Sequence, residues 1–171
     1  MAPTRFLTDS SLEGLARRLR QLGYDVAVIR GARLEELFLT AAAEARTVLT
    51  LSVRHPRRFA AVPVVTVPRG DDAAAVRVVA DTHEPAGAPF SRCSACNSTL
   101  RSRHRMEAGG EVPGRVLRRA TRLTSCPACG RWYWDGSHVA RLAAWFERAL
   151  GHPLPLVAPA ADQGQLSEDA S

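Results

Sequence analysis

Two short motifs, Cys93-Ser94-Ala95-Cys96 and Cys126-Pro127-Ala128-Cys129, contain all four cysteines of the chain. Each C-x-x-C can turn two thiolates toward one metal ion. Together they supply the four soft ligands of a closed tetrahedral Zn²⁺ site. Asn97 follows the first knuckle and Gly130 the second. Both types let the chain turn so that backbone amides face the sulfurs. The expected site is structural, because four cysteines leave no position open for a reactive water. Two disulfides are the alternative, and iron would satisfy the same thiolates. No long apolar segment of a signal peptide follows Met1, so thiolate chemistry and a cytoplasmic location are expected.

The chain of 171 residues fits one domain plus a small module, and a hydrophobic content of 46% is enough for a core. No apolar run reaches membrane-spanning length. The formal net charge is +6, and all 23 basic residues are arginine. That balance points to an anionic partner such as nucleic acid. The excess is concentrated between the knuckles, at Arg101, Arg103, Arg105, Arg115, Arg118, Arg119 and Arg122, against only Glu107 and Glu111. This segment reads as an RNA- or DNA-facing patch, with a solvated charged loop as the alternative.

The rest of the chain reads as alternating strands and helices. Strands are expected over 4–8, 26–29, 47–51 and 62–67. The first helix is capped by Ser10 or Ser11, carries Leu12, Leu15, Ala16, Leu19 and Leu22 on one face, and stops at Gly23. Further helices are expected over 34–45 and 71–79. The continuous apolar run at 47–51 suits a parallel strand buried on both faces. The order β-α-β-α-β-β-α predicts a small, mostly parallel α/β sheet with flanking helices. The expected layout is an α/β domain over 1–84, a linker over 85–89, and a zinc ribbon with a terminal helix over 90–150. A disordered tail follows over 151–171. Ser137 is expected to cap the terminal helix.

Particular runs carry a resemblance. They are Phe6-Leu7-Thr8-Asp9, the stretch Leu15-Ala16-Arg17-Arg18-Leu19-Arg20-Gln21-Leu22-Gly23-Tyr24-Asp25, and Cys126-Pro127-Ala128-Cys129-Gly130-Arg131-Trp132-Tyr133-Trp134-Asp135-Gly136-Ser137-His138. With Glu35-Glu36-Leu37 and Val48-Leu49-Thr50, they resemble the Mut-seven C-terminal RNase domain family over about residues 5–148. The resemblance implies a PIN-like nuclease fold with a C-terminal zinc ribbon. It also implies a metal-dependent ribonuclease, with Mg²⁺ or Mn²⁺ held by carboxylates at the carboxyl ends of parallel strands. Carried over, Asp9 would be the principal ligand and Glu35 or Glu36 the next. Asp71 or Asp72 would complete the set, with Asp9, Glu36 and Asp72 as the catalytic acids.

The chain departs from that pattern in two places. Ser52 stands where the family has an acid after the third strand, and Arg33-Leu34 stands where it tends to have acids. A neutral hydroxyl is a weaker ligand for a hard dication, and an arginine repels it. The expectation is a degenerate acidic site and weakened activity. The candidate acids also have structural readings. Asp9 can cap the first helix, and Glu35, Glu36, Asp71 and Asp72 each suit a helix start through the helix dipole. Asp25 is expected to be structural. Trp132, Tyr133 and Trp134 are expected mainly to cover the zinc site, with stacking on RNA bases as the alternative. Three functions follow. The first is an RNA-directed endoribonuclease. The second is a non-catalytic module on RNA (tRNA, rRNA or the ribosome), and the third a protein-interaction module.

Overall fold

The computed structural model describes residues 3–155. Beyond Pro155 the expected disordered tail lies outside the described residues. The first half folds as β1 (Arg5–Asp9), α1 (Glu13–Gln21), β2 (Asp25–Ile29), α2 (Leu34–Glu44), β3 (Thr47–Thr50), β4 (Val64–Thr66) and α3 (Asp72–Ala80). All three strand pairings are parallel, in the order β2-β1-β3-β4. The α/β expectation holds, with ends shifted by one or two residues.

Alternation along the strands explains the layering. Successive side chains of a strand point to opposite faces. Phe6, Val26, Leu49 and Val65 face one side, where α1, α3 and a later helix cover them. Leu7, Ala27, Val48 and Val64 face the other, against Leu37, Phe38 and Ala41 of α2. Every residue of β3 is buried, as its continuous apolar character predicts. Arg5–Asp9 therefore runs through the middle of a three-layer sandwich.

The second half builds an antiparallel sheet of β5 (Arg101–Ser102), β6 (Leu123–Ser125) and β7 (Trp132–Trp134), with a short α4 (Gly114–Leu117) between β5 and β6. α5 (Ser137–Leu150) follows. Ser137 does not cap it: the N-cap is Gly136, and no side chain accepts from the first amides. The extended backbone at Gly136 leads Ser137 straight into the first turn. Ala143 and Phe146 of α5 join the core of the parallel sheet, not that of the ribbon. Arg77 Nε donates to Ala149 O at 2.7 Å, and the Arg18 guanidinium lies 4.2 Å over the Trp145 ring. Past Gly151, where a tail was expected, Leu154 is still buried in the same core.

The two halves meet tightly at Gly23. Its φ is +93°, and an added Cβ would lie 2.0 Å from the Gly87 carbonyl oxygen of the linker. Beside it, Phe90 N donates to Gln21 O at 2.7 Å. Gly23→Ala is expected to lower stability by about 2 kcal/mol or more, because strain and clash add. A urea titration measures it, and a midpoint equal to wild type would contradict this packing.

Candidate functional site

Three places merit scrutiny: the carboxyl end of the parallel sheet, the cysteine centre, and the arginine-rich face of the ribbon. The strand order reverses direction between β1 and β3. In an open α/β sheet the ligand crevice lies outside the carboxyl ends at such a switch point. Asp9 ends β1 there, and Ser52 lies just past β3.

The acids near that edge already have partners. Asp9 Oδ1 accepts from Ser11 N at 2.7 Å, so Asp9, not Ser10 or Ser11, caps the turn into α1. Glu36 Oε2 accepts from Arg33 N at 2.8 Å, closing the first turn of α2. Glu35 pairs with Arg58 at 2.7 Å. Asp71 Oδ1 accepts from Ala74 N at 2.9 Å and caps α3, and Asp72 pairs with Arg18 at 2.9 Å. Ser52 Oγ donates to Arg54 O at 3.0 Å, and its amide donates to Thr50 Oγ1. Among the described residues, only the four cysteines bring three or more His, Cys, Asp or Glu ligand atoms within 4.8 Å of one another. Asp9 ends β1 at the switch point, and among the described residues no three of the carboxylates bring their oxygens within 4.8 Å of one another. Sequence reading missed Glu13 at this edge, which accepts from Arg17 at 2.9 Å and Arg30 at 2.7 Å. These two arginines hold its carboxyl down to about 2. The spacing to Arg17 was readable as an i,i+4 pair; Arg30 comes in only through the β1–β2 pairing.

The cysteine centre does assemble. Cys93 Sγ lies 3.6 Å from Cys129 Sγ, and Cys96 Sγ 3.3 Å from Cys126 Sγ. These separations are too long for disulfides and close to the ~3.8 Å edge of a tetrahedron with Zn–S near ~2.3 Å. All four cysteines are free. The knuckles match each other bond for bond. Asn97 N donates to Cys93 O at 2.9 Å and Gly130 N to Cys126 O at 3.0 Å; Cys93 N reaches Ser98 O and Cys126 N reaches Arg131 O, both at 2.8 Å. The fifth residue of each has positive φ, +73° at Asn97 and +72° at Gly130. Asn97 does more than glycine could. Its Oδ1 accepts from Val26 N at 3.0 Å and its Nδ2 donates to Asp25 Oδ1 at 2.9 Å, which docks the knuckle on β2. The buried Arg20 adds Nε to Val26 O at 2.8 Å and NH1 to Ser94 O and Ala95 O at 3.0 Å. Four thiolates with amides turned around them fit zinc, which would be held by Cys93, Cys96, Cys126 and Cys129.

The aromatic triplet divides its work. Tyr133 Oη lies 3.0 Å from Cys93 Sγ. Its hydroxyl is pushed up to about 12, first by burial and then by Cys93, so it stays protonated and can donate to the sulfur. Trp132 packs on the ribbon core of Ala108, Val112 and Leu123 and donates Nε1 to Glu111 at 2.9 Å. Trp134 stays 38% exposed.

The seven arginines divide as well. Arg103 is held by Ser125 Oγ at 2.8 Å and Glu107 at 3.0 Å. Arg101, Arg105, Arg115, Arg118, Arg119 and Arg122 make no salt bridge among the described residues. Arg115, Arg119 and Arg122 line a cleft of about 750 Å³ between the ribbon and the start of α5.

A family model described as the Mut7-C RNAse domain matches residues 4–146. The chain belongs to this family. No curated protein and no solved structure matches the chain. This Mut7-C RNase domain brings its four cysteines together at one point and has a parallel sheet with Asp9 at the end of β1. Ser52 follows β3 with a neutral side chain, and Arg33 precedes α2 with its side chain exposed. Among the described residues no helix is long and apolar enough to cross a membrane.

Proposed function

We infer that this Mut7-C RNase domain binds RNA through its arginine-rich ribbon and has weak or no metal-dependent endoribonuclease activity. The donor set at the carboxyl end of the sheet carries the reading. One carboxylate, Asp9, stands at the switch point, and the neutral Ser52 stands past the neighbouring strand. Mg²⁺ and Mn²⁺ need several oxygens, and one carboxylate leaves most of them to water. Glu36, Asp71 and Asp72 are engaged in their own helix starts or in helix packing. On the ribbon, six arginines without acidic partners among the described residues leave a positive surface whose counterions a phosphate backbone would displace. The free thiols fit a reducing compartment such as the cytoplasm.

A second reading, a working endoribonuclease, draws on the position of Asp9 at the switch point. One experiment separates the two. RNA binding and RNA cleavage are measured with zinc-loaded protein and added Mn²⁺ or Mg²⁺, beside Asp9→Asn. The expected result is RNA affinity that falls steeply with salt and the same background cleavage from both proteins. Cleavage by the parent that disappears in Asp9→Asn would establish the enzyme. Salt-insensitive binding to a protein partner, with no RNA bound, would instead favour a protein-interaction module.

A further inference from the structure

The cleft beside the ribbon contains none of the four cysteines and none of the candidate acids, although Ser94 and Tyr133 of its lining also border the cysteine centre. It lies between α4, the end of β7 and the start of α5, and Gln21 at the end of α1 reaches its floor. α1 begins next to Asp9 and ends at Gln21, so the cleft stands roughly 13 Å away along that helix, toward the amino ends of the strands.

Its lining is matched to a nucleotide. Arg115, Arg119 and Arg122 enter it from α4 and the following loop. The one carboxylate in the lining, Asp135, is already taken. It accepts from the Thr121 hydroxyl, from Thr121 N at 3.0 Å and from Arg122 N at 2.9 Å. It therefore holds the arginine loop in place without pairing with the guanidinium groups. The aromatic wall includes Trp134. Its neighbours Trp132 and Tyr133 spend their polar atoms on Glu111 and Cys93, whereas the Trp134 indole makes no hydrogen bond among the described residues. Gly136, Ser137 and His138 bring the uncapped start of α5 to the same cleft, and its first amides add donors for an anion. The volume of about 750 Å³ is that of a small-molecule site.

We propose that this cleft binds an unpaired nucleotide of single-stranded RNA, with the base stacked on Trp134 and the phosphate met by Arg119 and Arg122. The proposal rests on the RNA-binding reading above and locates it. Guanidinium groups suit phosphate, and an exposed indole suits any base face. Bases inside a duplex are already stacked and cannot reach such a ring, so the site selects unpaired strands.

The test is fluorescence anisotropy with a labelled single-stranded RNA of about 12 nucleotides. It uses full-length zinc-loaded wild type, Trp134→Ala, Trp134→Phe, Arg119→Ala and the control Arg148→Ala. Arg148 is exposed on α5, off the ribbon and outside the cleft lining. Trp134→Ala is expected to weaken binding by about tenfold or more, and Trp134→Phe to recover most of it. Arg119→Ala is expected to reduce the salt slope by about 0.7, one phosphate contact, while the control keeps the wild-type affinity and slope. Zinc content equal to wild type in each variant shows that the ribbon is intact. RNA binding unchanged by Trp134→Ala and Arg119→Ala would overturn the cleft and leave the RNA reading standing. No binding by any protein would overturn both. A nucleoside monophosphate that competes as tightly as the strand would overturn the assignment to a strand.

Discussion

Keeping metal from the four cysteines is expected to leave the ribbon unfolded and the α/β half folded but weakened. The ribbon's own apolar core is small, with Ala108, Val112 and Leu123 buried and Val116, Leu117 and Trp132 packed around them. Such a core does not offset the chain entropy of residues 91–136. In small modules of this kind, metal binding supplies about 10–16 kcal/mol, which amounts to the folding free energy. The same loss follows from Cys126→Ser, which removes one ligand from a buried position. Near-UV circular dichroism reports on Trp132, Tyr133 and Trp134 and is expected to collapse on chelation. Far-UV signal from α1, α2, α3 and α5 is expected to persist, because those helices pack on the parallel sheet. Trypsin is expected to cut first at the arginines between 101 and 122. A near-UV spectrum unchanged by a strong chelator in denaturant-free buffer would show that the module folds without its metal.

Asp25→Ala is expected to cost about 3–5 kcal/mol, which lowers the melting temperature by roughly 10 °C. Asp25 Oδ1 meets Arg46 NH1 at 2.7 Å, and Oδ2 lies 3.7 Å from Arg92 NH2. The three side chains are only 12–16% exposed. Removing the carboxylate leaves two guanidinium groups in a poorly solvated place and strips Asn97 of its acceptor. Burial works against the charge on Asp25, but hydrogen bonds from Arg46 and Asn97 outweigh it and hold the carboxyl below its usual range. The sign of the pH effect follows. In the unfolded chain this carboxyl titrates near ~3.9. Its contribution is complete above that value and disappears as pH falls through the lower folded value. The stability gap between wild type and Asp25→Asn is therefore expected to be constant near neutral pH and to narrow below about pH 4. Urea melts across pH measure it. A gap that widens in acid would place the ion pair's role elsewhere.

Two kinds of information were local enough to be read without coordinates. The knuckle spacing brings two thiols to one side of a tight turn, so ligand identity follows from neighbours in the chain. Helix and strand periods are also local, and they led to the parallel sheet with its buried β3 and the apolar faces of α1 and α5. The acids were legible only as candidates, because a carboxylate at a helix start looks the same whether it caps, pairs or ligates. The folded chain gives these acids partners that the sequence does not show. It gave Asp72 to Arg18 of α1, Glu35 to Arg58, and Asp71 and Glu36 to their own helix ends. Long-range packing also sent α5 to the parallel sheet, tied Asn97 to Asp25 across 72 positions, and left Trp134 exposed beside three arginines. Those outcomes depend on which surfaces meet in space, a property that no window of neighbouring residues contains.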